Sequence, residues 1–172
     1  PGGRDRMKVE IVDYEAPDAA KTLARSLRDT GFAVLKNHPI TAERIEAIYD
    51  CWGGFFAGDE KFAYAVQPPA HDGYFAFRSE NAKDSQVKDL KEFFHVYPGC
   101  RLPADIEETT RQIYADLDSL GRELLGWIQQ QAPAEVTGEL SMPLDQMMEG
   151  SNQSLLRILH YPPVEQSEPV SY

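Results

Sequence analysis

The segment over residues 155–163, Leu-Leu-Arg-Ile-Leu-His-Tyr-Pro-Pro, constrains the fold more than any other part of the chain. A short, mostly apolar run that is bounded by turn signals is typical of a buried β-strand. The two prolines end it, because proline cannot donate to a strand ladder. An unpaired apolar edge is usually covered or avoided in natural proteins. The segment therefore predicts a strand that pairs with neighbours in a larger sheet.

Composition limits the classes of protein to which the chain can belong. Its 172 residues are 42% hydrophobic, which suits one globular domain with a core. With 17 Lys and Arg against 28 Asp and Glu, the net charge of −11 would repel a nucleic acid. No apolar run reaches the roughly 20 residues of a membrane helix. Cys51 and Cys100 form no C-x-x-C pair, which favours reduced thiols and a cytoplasmic location; the oligomeric state stays open.

Hydrophobic periodicity and turn residues divide the first 60 residues into short elements. Proline and an acidic residue favour the first turn of a helix, and glycine favours its end. The nearly continuous apolar run 32–35 predicts a strand that is buried on both faces. In order, we predict a strand over 8–13, a helix from Pro17 to Gly31, the strand 32–35, and a helix from an N-cap at Thr41 to near Gly58.

The remainder of the chain alternates loops with longer elements. Residues 66–89 are rich in proline, glycine and polar side chains, which indicates loops with at most short strands. Residues 1–7 have no apolar signal-peptide core and are interpreted as a tag or disordered start before a natural Met7. We further predict a strand over 93–97, a long helix from Pro103 to Pro133, a short helix over 143–148, and a closing strand over 155–161.

Few residues carry obvious chemistry. None of the four histidines has an acid two positions later, the spacing that supplies two ligands to many non-haem iron sites. His71 beside Asp72 is more typical of a surface turn than of a metal site, and His95 is interpreted as a structural histidine. Cys51 lies among aromatic residues of a helix, which favours an inert, partly buried thiol. From these residues alone, the chain is an acidic globular domain.

Three segments, in order, resemble one enzyme family. They are Gly-Phe-Ala-Val-Leu-Lys-Asn-His-Pro-Ile over 31–40, Gly73-Tyr74 with Asp-Leu-Lys-Glu-Phe-Phe over 89–94, and the strand with a Tyr-Pro end over 156–162. Together with the long helix, they resemble the isopenicillin N synthase-like branch of the Fe(II)/2-oxoglutarate-dependent dioxygenases. Pro39 departs from this pattern, because the family has glycine in that turn.

The resemblance implies an α+β fold. A helical N-terminal region would pack on part of a double-stranded β-helix, or jelly roll, with the chain truncated before the iron-binding strands. Residues 8–150 would form the N-terminal region, and 151–172 would form the first strands of the jelly roll. The family's His-x-Asp and Arg-x-Ser motifs are absent from these residues. Fe(II) and 2-oxoglutarate are thus expected for the complete enzyme, but no catalytic or metal-binding residue is expected here.

Four residues are candidate site residues by the same resemblance. Tyr161 matches a tyrosine that reaches toward the cosubstrate, where its hydroxyl could donate to a carboxylate. Its alternative role is a core aromatic at a strand end. Tyr74, Phe75 and Arg78 fall where the family lines its substrate entrance, and Arg78 could pair with an acidic group of the substrate.

The implied function is oxidation of a small molecule with O2 and 2-oxoglutarate, and the 172 residues alone are expected to be inactive. The alternative is a non-catalytic binding or interaction module of the same family. A reading frame that continues past Tyr172 into His-x-Asp would favour the enzyme, and a stop codon near Tyr172 would favour the module. A hydrolase built on Cys51 or on paired acids has only composition in its favour.

Overall fold

A computed structural model describes residues 8–80 and 88–163. The chain is α+β and divides into two compact units, Pro1–Ala42 with Ala115–Ser151, and Glu43–Tyr114 with Asn152–Tyr172. The elements are β1 (Ile11–Asp13), α1 (Ala19–Thr30), β2 (Val34–Lys36), α2 (Ala42–Ala57), a 3-10 helix (Glu60–Tyr64), β3 (Gly73–Phe75), β4 (Glu92–Val96), α3 (Ala104–Gln131), α4 (Ala134–Thr137), a second 3-10 helix (Asp145–Met148) and β5 (Leu156–His160).

In the first unit, strands β1 and β2 pair in parallel, and α1 covers one face of the pair. Helix α1 follows Asp18 and ends at Gly31 in the left-handed conformation, so both predicted ends are confirmed. The predicted burial of 32–35 on both faces is wrong. Phe32 and Val34 are 69% and 52% exposed, because only the alternate residues Ala33 and Leu35 pack toward the core.

The second unit contains an antiparallel sheet of order β3-β4-β5 that packs against α2. Side chains alternate between the faces of a strand, so the sheet has an inner face on the core and an outer face. The inner face consists of Tyr74, Glu92, Phe94, Val96, Leu156, Ile158 and His160, and it contacts Trp52, Phe55 and Phe56 of α2. The outer face consists of Phe75, Phe93, His95, Arg157 and Leu159, followed by Tyr161.

Strand β5 lies at the end of this sheet. It pairs with β4 along one edge, and no described residue pairs with its other edge. The predicted strand is confirmed, but its predicted burial is wrong: three of its five residues are half-buried, and Arg157 and Leu159 are exposed. Leu159 and Tyr161 on the outer face are 45% and 63% exposed, because α2 covers only the inner face.

Helix α3 confirms the long helix that was predicted to start after Pro103 and to stop at Pro133. In the second unit its first turns pack on α2, where Trp52 donates from Nε1 to Oγ1 of the buried Thr110 at 3.0 Å. The single turn α4 was not predicted. Among the described residues, no helix combines the length and the apolar character that a bilayer span requires.

Gly73 at the start of β3 cannot be replaced without a clash. Its φ is +106°, in a region that side chains rarely adopt, and a Cβ there would lie 2.6 Å from the backbone oxygen of Tyr64. The backbone of Tyr64 is held in turn, because the N–H of Val66 donates to the carbonyl oxygen of Tyr74 at 2.9 Å. Glycine therefore brings the 3-10 helix segment close to the first strand of the sheet.

We expect Gly73→Ala to lower the free energy of unfolding by about 3 kcal/mol, because it combines backbone strain with a collision against main-chain atoms. Gly99→Ala is the matched control: its φ is +75° but a Cβ there meets nothing within 4 Å. We expect a cost of about 1 kcal/mol from the left-handed backbone alone. Urea unfolding of both variants measures the difference, and equal costs would contradict the clash.

Candidate functional site

The outer face of the β3-β4-β5 sheet is the candidate site. Its side chains form cross-strand rows, because His95 is opposite Arg157 and Phe93 is opposite Leu159 in the β4-β5 register. Successive rows are about 7 Å apart, since two residues of a strand separate them. One end of the face thus carries Arg157, the middle is apolar, and the other end carries Lys91 and the phenol of Tyr161.

Aromatic rings form the floor of this face. Phe75 stacks on Phe93 with ring centroids 4.5 Å apart and an interplanar angle of 11°. The His95 ring lies 4.6 Å from Phe75 and 4.9 Å from Phe93, so the three rings form one cluster. Phe93 is completely buried, whereas Leu159 is half-exposed beside it. A ligand on this face would therefore meet the apolar surface of Phe75 and Leu159, because these side chains are not fully buried.

His95 and Arg157 form a defined hydrogen-bonded pair at one end of the face. The backbone oxygen of His71 lies 3.0 Å from His95 Nδ1, and Arg157 donates from Nε to His95 Nε2 at 2.8 Å. Burial lowers the pKa of His95, and the neighbouring Arg157 lowers it further. The ring is thus neutral, with its proton on Nδ1. This agrees with the interpretation of His95 as a structural histidine.

Tyr161 and Lys91 occupy the other end of the face. Lys91 lies 2.6 Å from Asp89 and 3.7 Å from Glu80, and the hydrogen bond to Asp89 raises the pKa of Lys91, with a smaller contribution from Tyr161. Tyr161 is 63% exposed among the described residues, and both of its roles, cosubstrate contact and core aromatic, stay predictions. Its ring is accessible to a ligand at the end of β5.

The candidate substrate residues do not all lie on this face. Phe75 belongs to its floor. Arg78 lies just beyond β3 with a φ of +62°, and its backbone N–H donates to the oxygen of Lys91 at 3.3 Å. Tyr74, in contrast, is 2% exposed and points to the inner face. Sequence reasoning did not single out Arg157 as a candidate, although Arg157, Leu159 and Tyr161 follow one another at two-residue intervals, which places all three on one side of a strand.

A buried carboxylate lies on the opposite, inner face. Glu92 is 4% exposed and accepts from Tyr74 at 2.5 Å, from Lys61 at 3.0 Å and from His160 Nδ1 at 2.7 Å. The His160 ring also stacks on Phe56, with centroids 5.1 Å apart. Glu92 thereby joins the 3-10 helix and all three strands of the sheet.

These hydrogen bonds keep Glu92 charged. Burial raises the pKa of its carboxyl, but the hydrogen bonds from Tyr74, His160 and Lys61 outweigh burial and lower the pKa below its usual value. Burial and the same carboxylate raise the pKa of Tyr74, so its phenol stays protonated and donates. Because His160 directly precedes Tyr161, the bond from His160 to Glu92 also holds the strand end that presents Tyr161.

The described residues do not form an iron site. No group of three His, Cys, Asp or Glu side chains within 8–80 and 88–163 is arranged to hold a metal ion. Burial raises the pKa of the free thiols of Cys51 and Cys100, which supports the prediction that Cys51 is inert. The outer face thus offers an apolar floor and hydrogen-bond donors, which are features of a binding surface.

The comparison with protein families identifies this fold. Residues 9–115 match the family described as the N-terminal domain of non-haem dioxygenase in morphine synthesis. The match covers more than half of the chain, so the chain belongs to this dioxygenase family. This confirms the resemblance inferred from the three sequence segments. No match was found among curated proteins.

Solved structures extend the likeness to almost the whole chain. A presumed oxygenase from Shewanella oneidensis is 41% identical with a TM-score of 0.84, over 95% of this chain and 58% of that one. A presumed 2OG-Fe(II) oxygenase family protein from Caulobacter crescentus is 30% identical with a TM-score of 0.71, over 92% and 57%. A full-length Neurospora crassa protein, solved in complex with alpha-KG, shares the fold at 21% identity and a TM-score of 0.71, over 96% and 57%. The chain thus spans a little over half the length of these relatives.

We expect Glu92→Gln to lower the free energy of unfolding by about 2–3 kcal/mol at pH 7, because it leaves the Lys61 ammonium without its buried counter-charge. The folded-state pKa of Glu92 is lowered from 4.5, so its stabilisation is present above pH 4.5 and is lost as the pH falls through the folded-state pKa. The gap between wild type and variant should therefore narrow in acid. Urea unfolding at several pH values measures it.

Glu107→Gln is the matched control, because Glu107 pairs with Arg111 on the exposed side of α3. We expect it to cost at most about 0.5 kcal/mol. Equal losses in the two variants at pH 7, or a gap for Glu92→Gln that does not change with pH, would contradict the role assigned to the buried carboxylate.

Proposed function

We propose that this chain is the N-terminal part of a non-haem iron oxygenase that oxidises a small molecule with O2 and 2-oxoglutarate. The observation that carries the proposal is the family match over residues 9–115. The presumed oxygenase that is 41% identical over 95% of this chain supports it. Since the chain spans 58% of that relative, the activity proposed is that of a longer polypeptide.

In this proposal, the outer face is one wall of the substrate and cosubstrate pocket. Its rings, including Phe75, exclude water from the bound molecules, and such exclusion strengthens polar contacts there. Tyr161, exposed at the end of β5, donates a hydrogen bond from its hydroxyl to a carboxylate of 2-oxoglutarate. Arg78 stands at the entrance, beside the start of β4. Tyr74 contributes indirectly, because its hydroxyl is bound to Glu92 on the inner face.

We also propose that the iron is held by residues other than those described. Fe(II) with O2 and 2-oxoglutarate supplies the oxidising power in this class of enzyme. The described residues contain no ligand set for it, so their contribution is to bind, to orient and to exclude water. The open edge of β5 is where the next strand of a jelly roll would pair. Residues 8–150 would then be the N-terminal region and 151–172 the start of the jelly roll, in a cytoplasmic enzyme.

We expect Tyr161→Phe, in the complete polypeptide with Fe(II), to raise the KM for 2-oxoglutarate about tenfold, or about 1.4 kcal/mol, through loss of one hydrogen bond to a charged group. Succinate formation measures the rate. Tyr49→Phe is the control, because Tyr49 is 75% exposed on α2 and remote from the outer face in sequence. Its KM should not change.

Three outcomes would count against parts of this proposal. A KM that is unchanged in Tyr161→Phe would remove Tyr161 from the cosubstrate site. Wild-type polypeptide that forms no succinate from 2-oxoglutarate would favour the non-catalytic module instead. The 172 residues alone are expected to bind no Fe(II) tightly, and a strong site found by calorimetric titration of this chain would contradict that expectation.

A further inference from the structure

The guanidinium of Arg157 is held in one orientation on the outer face. Its Nε donates to Nε2 of His95 at 2.8 Å, and its Cζ lies 5.1 Å from the centroid of the Phe93 ring. His95 is itself fixed by the backbone oxygen of His71, 3.0 Å from Nδ1. An arginine that is oriented in this way loses less side-chain entropy when it binds a ligand.

The contacts of Arg157 leave its charge available. Nε is used by His95, which leaves the two terminal nitrogens to make the parallel pair of hydrogen bonds that a carboxylate accepts. Both described partners, His95 and Phe93, are uncharged, so neither neutralises the guanidinium. Lys91 at the other end of the face differs, because Asp89 lies 2.6 Å from its ammonium nitrogen.

The surroundings of Arg157 define the body of the ligand. Leu159 is the next residue on the same side of β5 and is 45% exposed, over the floor made by Phe75 and Phe93. Tyr161 follows two residues later. Arg157 and Tyr161 are four residues apart along a strand, or about 13 Å between Cα atoms. Arg157 and Tyr161 thus belong to different rows of the face, and we assign the substrate carboxylate to Arg157 and the cosubstrate carboxylate to Tyr161.

We propose that Arg157 is the receptor for a carboxylate on the substrate, whose apolar body lies along Leu159 and Phe75. His95 is the positioning residue that aims the guanidinium. This inference rests on the proposed function, because it assigns the substrate class of the same pocket. It names a carboxylic acid with an apolar body as the substrate class.

The test compares two probes that differ only in charge, 3-phenylpropanoate and its primary amide 3-phenylpropanamide. Both are titrated calorimetrically into the complete polypeptide, loaded anaerobically with Fe(II) and 2-oxoglutarate. We expect the acid to bind at least about tenfold more tightly than the amide, as charge-assisted hydrogen bonds imply. Arg157→Gln should abolish this preference, and Arg157→Lys should keep part of it.

Two further variants separate positioning from general damage. His95→Leu should lower the acid-to-amide preference, whereas a merely structural role would weaken both probes equally and leave their ratio unchanged. Arg122→Gln is the matched control, because Arg122 pairs with Asp118 on α3 in the other unit. Its preference should equal that of wild type. Thermal unfolding confirms that each variant is folded. If Arg157→Gln does not fold, the acid-to-amide preference of Arg157→Lys provides the test instead.

The outcomes distinguish this inference from the proposed function. Succinate formation from 2-oxoglutarate, measured on the same preparation without a probe after O2 is admitted, tests the proposed function alone. If succinate forms but the wild type binds both probes equally, or binds neither, the assignment of Arg157 as a carboxylate receptor is wrong. A preference that survives in Arg157→Gln overturns it as well. If no succinate forms, the proposed function fails whatever the probes show.

Discussion

The buried charge of Glu92 organises the sheet of the second unit. A carboxylate that is removed from water must be compensated by donors, and here the donors come from Lys61, Tyr74 and His160. Each donor belongs to a different element. The hydrogen bonds to this one carboxylate therefore hold the 3-10 helix, β3 and β5 against β4. The register of β5 follows from this requirement, and with it the direction in which Arg157 and Tyr161 point.

The two-residue period of the strands places the core-packing side chains on one face of the sheet and the candidate site on the other. The inner face carries Glu92 and the aromatic residues that pack on α2. The outer face carries the side chains that could meet a ligand, among them Arg157 and Tyr161. Since neighbouring residues point in opposite directions, each strand contributes one set of side chains to the inner face and another set to the outer face. The same short strands thereby contribute to the core and to the candidate site.

Much of the fold could be predicted because its signals are local. Gly31 ends α1 and the Pro103 to Pro133 interval contains α3, as the rules for helix ends imply. The burial of 32–35 could not be predicted, because a continuous apolar run does not reveal whether one or two layers will cover a strand. Only the register with β1 shows that Val34 faces outward.

The site was harder to predict than the fold, for a similar reason. Tyr74 and Phe75 are adjacent aromatics, and nothing local indicates which of them turns to the core. The His95–Arg157 contact joins residues 62 apart in the chain and depends on the β4-β5 register. Resemblance to a family located Tyr161, whose exposed ring the structure then placed beside Lys91. Long-range pairing thus determines which residues the site contains.

The position of β5 at the margin of its sheet has an evolutionary consequence. Substitutions at 157, 159 and 161 alter the outer surface while the inward side chains between them keep their packing. A gene lineage could therefore acquire new ligand preferences through single codon changes in this strand, without a matching change in the interior. By contrast, a one-residue insertion would exchange the two sets of side chains and lose both at once.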